Sequence, residues 1–190
     1  MIGIVLSGGQ SSRMGLDKGL MTIQGNVWSK VAFEKLAALS IPSFVSVNNI
    51  QLQEYLKHFN RNELFVDRSD LKIQGPLAGV LNAHLLHPDQ DVMVLACDMP
   101  EMQLQILEKL KREFQAKQPE AIAFKGINIE PLCAIYSKQG LAKIKEEYDS
   151  SRLANHSMTS VLEFLKTSYL PIREEWQQSF KNFNHADDLR

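Results

Sequence analysis

Residues 2–18, IGIVLSGGQSSRMGLDK, pass from a short apolar run straight into a glycine pair and a loop carrying Ser7, Ser11, Ser12, Arg13 and Lys18. The run IGIVL has the length and β-branched content of a buried strand. Gly8 and Gly9 let backbone N–H groups come close to an anion with no side chain in the way. Arg13 offers a planar fork of donors suited to phosphate oxygens, and Lys18 a mobile point charge. A strand, a glycine turn and two separated cations together predict a nucleoside triphosphate site. The competing reading is a surface loop with solvated charges, because Gly and Ser also mark plain turns.

Working outward, apolar runs of strand length alternate with segments of helical period. Trp28, Val31, Ala32, Leu36 and Leu39 recur at helical spacing, and Pro42 closes that segment. Strands are predicted at 19–23, 43–48 (SFVSVN), 64–66 (LFV), 91–96 (DVMVLA), 121–124, 129–136 and 169–172. Helices are predicted at 51–59, 77–86, around Ile106, Leu107, Leu110 and Phe114, at 138–148 and at 158–165, with a tail from Phe180. The near-continuous apolar character of 91–96 marks a strand buried on both faces. Repeated β–α alternation predicts an α/β protein, a three-layer α/β/α sandwich around a mostly parallel central sheet. No repeat or linker divides the chain, so residues 1–190 are expected to form one domain.

Bulk properties exclude several classes. The 190 residues are 44% hydrophobic and 23% charged, which fits neither a disordered chain nor a membrane protein. The net charge of −1 argues against a general nucleic-acid binder. No stretch approaches the roughly 18 apolar residues of a membrane span, and no leader pattern precedes the first strand. The two cysteines, Cys97 and Cys133, lie far apart in apolar contexts, which suits packing in a reducing, cytoplasmic setting.

In open sheets of this kind ligands bind beyond the carboxyl ends of the strands. The polar residues that follow the strands are Gly8 and Gly9, Asn48, Asp67 and Asp98. Asp98 is the sharpest candidate, since a carboxylate at a strand's end suits Mg²⁺, a hard ion that bridges to phosphates. Its alternative role is to cap the helix beginning near Glu101. Glu130 either faces the cleft or sits in solvent on an edge strand. His84 and His87 lack further ligands at zinc spacing, Lys109–Lys117 reads as a solvated helix face, and Trp28 and Trp176 read as core and surface packing.

Two common phosphate motifs, G-x-x-x-x-G-K-[ST] and G-x-G-x-x-G, are absent. The order found instead is G-G-x-x-x-R-x-G-x-x-K, from Gly8 to Lys18. LSGGQSSRMGLDK closely resembles the N-terminal signature of nucleotidyltransferases that activate sugars and cofactors by moving an NMP onto a phosphate. Within that superfamily the chain is similar to the molybdenum cofactor guanylyltransferases. Supporting segments are VNN at 47–49, Asp67 with GPLAG at 75–79, CDMP at 97–100, EPL at 130–132 and FNHADDL at 183–189.

The resemblance implies a Rossmann-like, glycosyltransferase-A-like fold and transfer of GMP from Mg-GTP to molybdopterin. It implies that Leu6, Ser7, Gly8 and Gly9 line the nucleotide and that Arg13 and Lys18 hold phosphates. Asn48 and Asp67 match positions contacting base and sugar, and Asp98 matches the Mg²⁺ ligand and a nucleotide contact. Asn182 and Asn184 match a tail pattern near the pterin. Ser7 stands where Ala is common and Ser12 where Arg is common. The implied partners are GTP and molybdopterin, with transient contacts to cofactor-delivering or molybdoenzyme-maturation proteins, for a monomer that uses neither nucleic acid nor membrane. Alternatives left open are a cytidylyltransferase for the same cofactor, a sugar-phosphate nucleotidyltransferase, and a catalytically silent nucleotide-binding regulator.

Overall fold

The first strand, β1 (Ile2–Leu6), is buried along its whole length, as its unbroken apolar sequence requires. The computed structural model describes residues 1–7, 17–68, 70–73 and 75–183. A 3₁₀ turn, Lys18–Leu20, leads into a small hairpin of β2 (Thr22–Ile23) and β3 (Asn26–Val27), where the sequence predicts one strand over 19–23. The chain continues through α1 (Trp28–Ala38), β4 (Ser43–Val47), α2 (Leu52–Tyr55), β5 (Leu64–Val66) and α3 (Pro76–Leu86). Then come β6 (Val92–Ala96), α4 (Leu104–Lys117), β7 (Ala121–Lys125), β8 (Ile129–Tyr136), α5 (Lys138–Asp149), α6 (Met158–Phe164) and β9 (Thr167–Pro171).

Seven of these strands form one sheet in the order β5-β4-β1-β6-β8-β7-β9. The β1–β4, β1–β6, β4–β5 and β7–β9 pairs are parallel, and only β8 runs against its neighbours. The sheet is therefore mixed but mostly parallel, with helices on both faces. One face packs Phe33 and Leu36 of α1 with Ile106, Leu110 and Phe114 of α4. The other packs Leu77 and Leu81 of α3 with Leu141 of α5 and Val161 of α6. Each such fully buried aliphatic side chain contributes about 1.5–3 kcal/mol of transfer free energy.

Close packing of α3 depends on Gly79. A Cβ there would lie 2.7 Å from Ser46 Oγ and 2.8 Å from Leu6 Cδ2, so a larger residue would push the helix off the ends of β1 and β4. The helix is apolar almost all round and is correspondingly buried from Leu77 to His84.

One expectation is corrected at the C-terminal end. Residues Glu174–Phe180 form a 3₁₀ helix that the apolar pattern does not signal. Trp176, expected at the surface, is buried edge-on against Phe124, with ring centroids 6.1 Å apart. Trp28 is fully buried, as expected. Cys97 and Cys133 are free and buried, and burial pushes both thiols far up, so packing is their role. No helix among the described residues is long and apolar enough to cross a membrane.

Candidate active site

Parallel strands deliver their C-terminal ends to one edge, and the sequence places a polar residue at each. Ser7 follows β1, Asn48 follows β4, Asp67 follows β5 and Asp98 lies two residues beyond β6. Across the sheet these read Asp67, Asn48, Ser7, Asp98. Gly8, Gly9, Arg13 and Asn184 lie outside the described residues.

At the centre of this edge Lys18 Nζ lies 3.3 Å from Asp98 Oδ2. The two residues are 80 positions apart in sequence, and both side chains keep partial access to solvent, 29% and 21%. The turn carrying Asp98 is fastened on both sides. Cys97 N–H donates to Leu6 O at 3.3 Å, and Phe183 N–H donates to Asp98 O at 2.9 Å. Lys35 of α1 donates its ammonium to Pro100 O. Burial drives the Lys35 ammonium down to about 8, opposed in part by Glu101. The helix that follows starts at Leu104 with Gln103 as its N-cap, so Asp98 does not cap it.

On the β4 and β5 side, Asn48 Oδ1 accepts from the N–H groups of Ile50 and Gln51 and so closes the turn into α2. Its amide N–H₂ donates to no partner among the described residues. Asp67 accepts from Ser46 Oγ at 2.9 Å. Burial raises its carboxyl above the ordinary range, with the Ser46 bond opposing. Next to it, Asn82 of α3 donates to Val66 O at 3.0 Å.

A network not foreseen from the sequence lies beneath Lys18. Asp17 Oδ1 accepts from Gly19 N–H at 2.9 Å and from Tyr55 O–H at 3.0 Å, and Asp17 Oδ2 accepts from Gln51 Nε2 at 2.7 Å. Gln51 Nε2 also reaches Ser7 O at 3.2 Å, while its Oε1 accepts from Asn48 N–H. The visible signals were weak: an Asp directly before the lysine, and a Gln and a Tyr in a short helix after a strand-ending Asn.

Glu130 lies on β8, which runs between β6 and β7 and is not an edge strand, so it is half-buried and not simply solvated. Burial and then the neighbouring Asp98 charge raise its carboxyl. Its strand is irregular there, since the pairing with β7 jumps from Ala123↔Ala134 to Phe124↔Glu130. The expected solvated face of α4 is laced by Glu113 with Lys109 and Lys117. His87 stacks on Phe44 and Phe65. Among the described residues no three His, Cys, Asp or Glu converge as an all-protein metal cage. The donor set at the site is instead the hard carboxylate of Asp98, which suits an ion that completes its shell with waters and phosphate oxygens.

Residues 3–167 match the MobA-like NTP transferase domain. The chain is 33% identical to a probable molybdenum cofactor guanylyltransferase of Thermococcus sibiricus, over 100% of this chain and 96% of that protein. The structure of molybdopterin-guanine dinucleotide biosynthesis protein A from Archaeoglobus fulgidus superposes with a TM-score of 0.79 at 25% identity, covering 100% of this chain and 95% of the other. The bifunctional IspDF of Campylobacter jejuni shares the fold, with a TM-score of 0.71 at 13% identity over 98% of this chain and 52% of its own.

Proposed function

The chain belongs to the MobA-like NTP transferase family and is a nucleotidyltransferase, and from that premise we propose that it transfers GMP from Mg-GTP to the terminal phosphate of molybdopterin, releasing pyrophosphate. The observation that carries the reading is the Lys18–Asp98 pair, a cation and a carboxylate brought together at the centre of the sheet edge. The relatives' names support the choice of guanine nucleotide and pterin acceptor.

An oxygen of the acceptor phosphate forms the new bond to the α-phosphorus of GTP. The bond from that phosphorus to the β-bridging oxygen breaks, and its electron pair leaves with pyrophosphate. A phosphate oxygen is ionised near neutral pH, so no general base is needed. The obstacle is repulsion between two polyanions, and the remedy is positioning and charge. Asp98 would hold the divalent ion, which when bound supplies charge neutralisation at the α-phosphate. Lys18 exchanges Asp98 for phosphate oxygens and stabilises the leaving pyrophosphate. The Leu6–Ser7 backbone lines the nucleotide, with Gly8, Gly9 and Arg13 assigned to the phosphates from the sequence motif. Asn48 and Asp67 present an amide and a carboxylate to base and ribose.

The deciding experiment is titration of GTP, CTP, ATP and UTP with Mg²⁺, followed by turnover with molybdopterin. GTP should bind and react in clear preference; a preference for CTP would overturn the guanylyl assignment. Asp98→Asn should lose metal-dependent turnover while melting like the parent protein. Full activity in that variant would remove Asp98 from the site.

A further inference from the structure

The hydrogen bonds around Asp17 join three loops that the proposed site needs in register. Asp17 precedes Lys18 directly, so whatever fixes its carboxylate fixes the backbone from which the Lys18 ammonium reaches Asp98. Three donors converge on that carboxylate, from Gly19, Tyr55 and Gln51. Three hydrogen bonds onto one carboxylate select a single conformation of the loop that carries it.

Each donor is itself held. The Tyr55 ring is fully buried, stacked on Phe59 with centroids 6.1 Å apart. Burial and the adjacent Asp17 charge push its phenol far up, so it remains an O–H donor across the working pH range. Gly19 has its carbonyl fixed by Ser29 Oγ at 2.7 Å. A Cβ at Gly19 would fall 2.1 Å from Tyr55 Oη and 3.1 Å from Ser7 Cβ, so only glycine lets the phenol reach Asp17. Gln51 spends its remaining capacity on Ser7 O and Asn48 N–H.

Resting on the nucleotidyltransferase reading above, we infer that Asp17 is a positioning residue for the triphosphate grip: through Tyr55, Gly19 and Gln51 it sets the register of Lys18 and couples it to the nucleotide-side residues Ser7 and Asn48. It touches neither substrate. Its effect is selective, acting on the nucleotide and not on the acceptor, because every residue it organises lies on the β1 and β4 side of Asp98.

The test compares Asp17→Asn, Tyr55→Phe, Lys18→Ala and the Asp17→Asn/Lys18→Ala double variant. The readouts are Mg-GTP affinity by calorimetry, and KM for GTP and for molybdopterin measured separately. Asp17→Asn should weaken Mg-GTP binding and raise the GTP KM about tenfold, with the acceptor KM within about twofold of the parent value. Tyr55→Phe keeps the buried ring and should shift the GTP KM in the same direction by less, which serves if Asp17→Asn folds poorly. In the double variant the loss should match that of Lys18→Ala alone, since a register without its lysine has nothing left to set. Unchanged GTP and acceptor KM values with a lower kcat, or fully additive losses in the double variant, would reduce Asp17 to a structural group and overturn the inference. If Lys18→Ala itself binds Mg-GTP like the parent protein, the site reading fails first.

Discussion

The backbone N–H of Phe183 donates to the carbonyl oxygen of Asp98 at 2.9 Å, tying the C-terminal segment to the turn that carries the proposed metal ligand. The Phe183 ring is 1% exposed and meets Trp28 edge-on, with centroids 6.4 Å apart. Upstream, Phe180 and Trp176 grip Phe124 of β7. The described part of this segment thus runs from its packing on β7 to the turn that carries Asp98.

Phe183→Ala removes a buried aromatic whose backbone braces Asp98. A loss of about 3–5 kcal/mol is expected for such a truncation. That corresponds to a fall in Tm of roughly 6–20 °C for a chain of this size. Turnover should become harder to saturate with Mg²⁺, and Phe183→Leu should restore most of both. Thermal melting together with a Mg²⁺ titration of activity checks this; a melt that drops while the Mg²⁺ dependence stays fixed would confine Phe183 to packing.

Asp67→Asn should separate stability from binding. The folded-state carboxyl of Asp67 is raised by burial. Between the unfolded and folded values the native protein holds more proton, so stability falls as pH rises through that window, and the cost is present above it. Asn removes the buried charge and can still accept from Ser46. The variant should melt about 1–3 °C higher at pH 7, with the gain gone below about pH 4, where the carboxyl is neutral in both states. GTP affinity should fall about tenfold as a carboxylate contact is lost. A variant that is no more stable at pH 7, or that binds GTP unchanged, contradicts one half or the other.

Much of this was legible in the chain, and the reasons differ by element. β1 and β6 announce themselves because strands buried on both faces are apolar throughout, β4 by its alternation, and helical period identifies α1 and α4. The polar residue after each strand follows from the rule that parallel sheets present their ligands at one edge. The place of β8 between β6 and β7 was not legible, because antiparallel insertion is decided by pairing between distant segments. The Asp17 network escaped for a similar reason: Asp17 and Tyr55 are 38 residues apart, and short polar side chains carry no periodic signal. Trp176 was misplaced at the surface because the tail around it lacks an apolar period, although Phe124 covers it.

Lys35 predicts a pH effect of unusual sign. Its ammonium is driven down to about 8 by burial, below the unfolded value of about 10.4. Between these values the unfolded chain holds the extra proton, so the contribution of Lys35 to stability rises with pH over that window. Denaturant unfolding of the parent protein and of Lys35→Met at pH 7.5 and pH 10 measures it. The parent protein should gain stability relative to the variant as pH is raised; a constant difference would mean that Lys35 stays fully solvated where it meets Pro100.

Glu130 lies one strand beyond Asp98, on the side away from Ser7, Asn48 and Asp67. With the nucleotide contacts proposed on one half of the sheet edge, the proposed acceptor is expected on the half that Glu130 occupies. A half-buried carboxylate with no ion pair among the described residues, and with Asp98 as a like-charged neighbour, is costly to keep unless a ligand uses it. The irregular stretch of β8 after it gives the strand room to turn the side chain toward the cleft. Glu130→Gln should relieve the repulsion and raise Tm slightly. In steady-state assays it should raise the acceptor KM about threefold to tenfold while leaving the GTP KM within about twofold, as expected for the loss of a single charged hydrogen bond. An increase confined to the GTP KM would place Glu130 on the nucleotide instead, and parent-like values for both substrates would leave it a surface carboxylate.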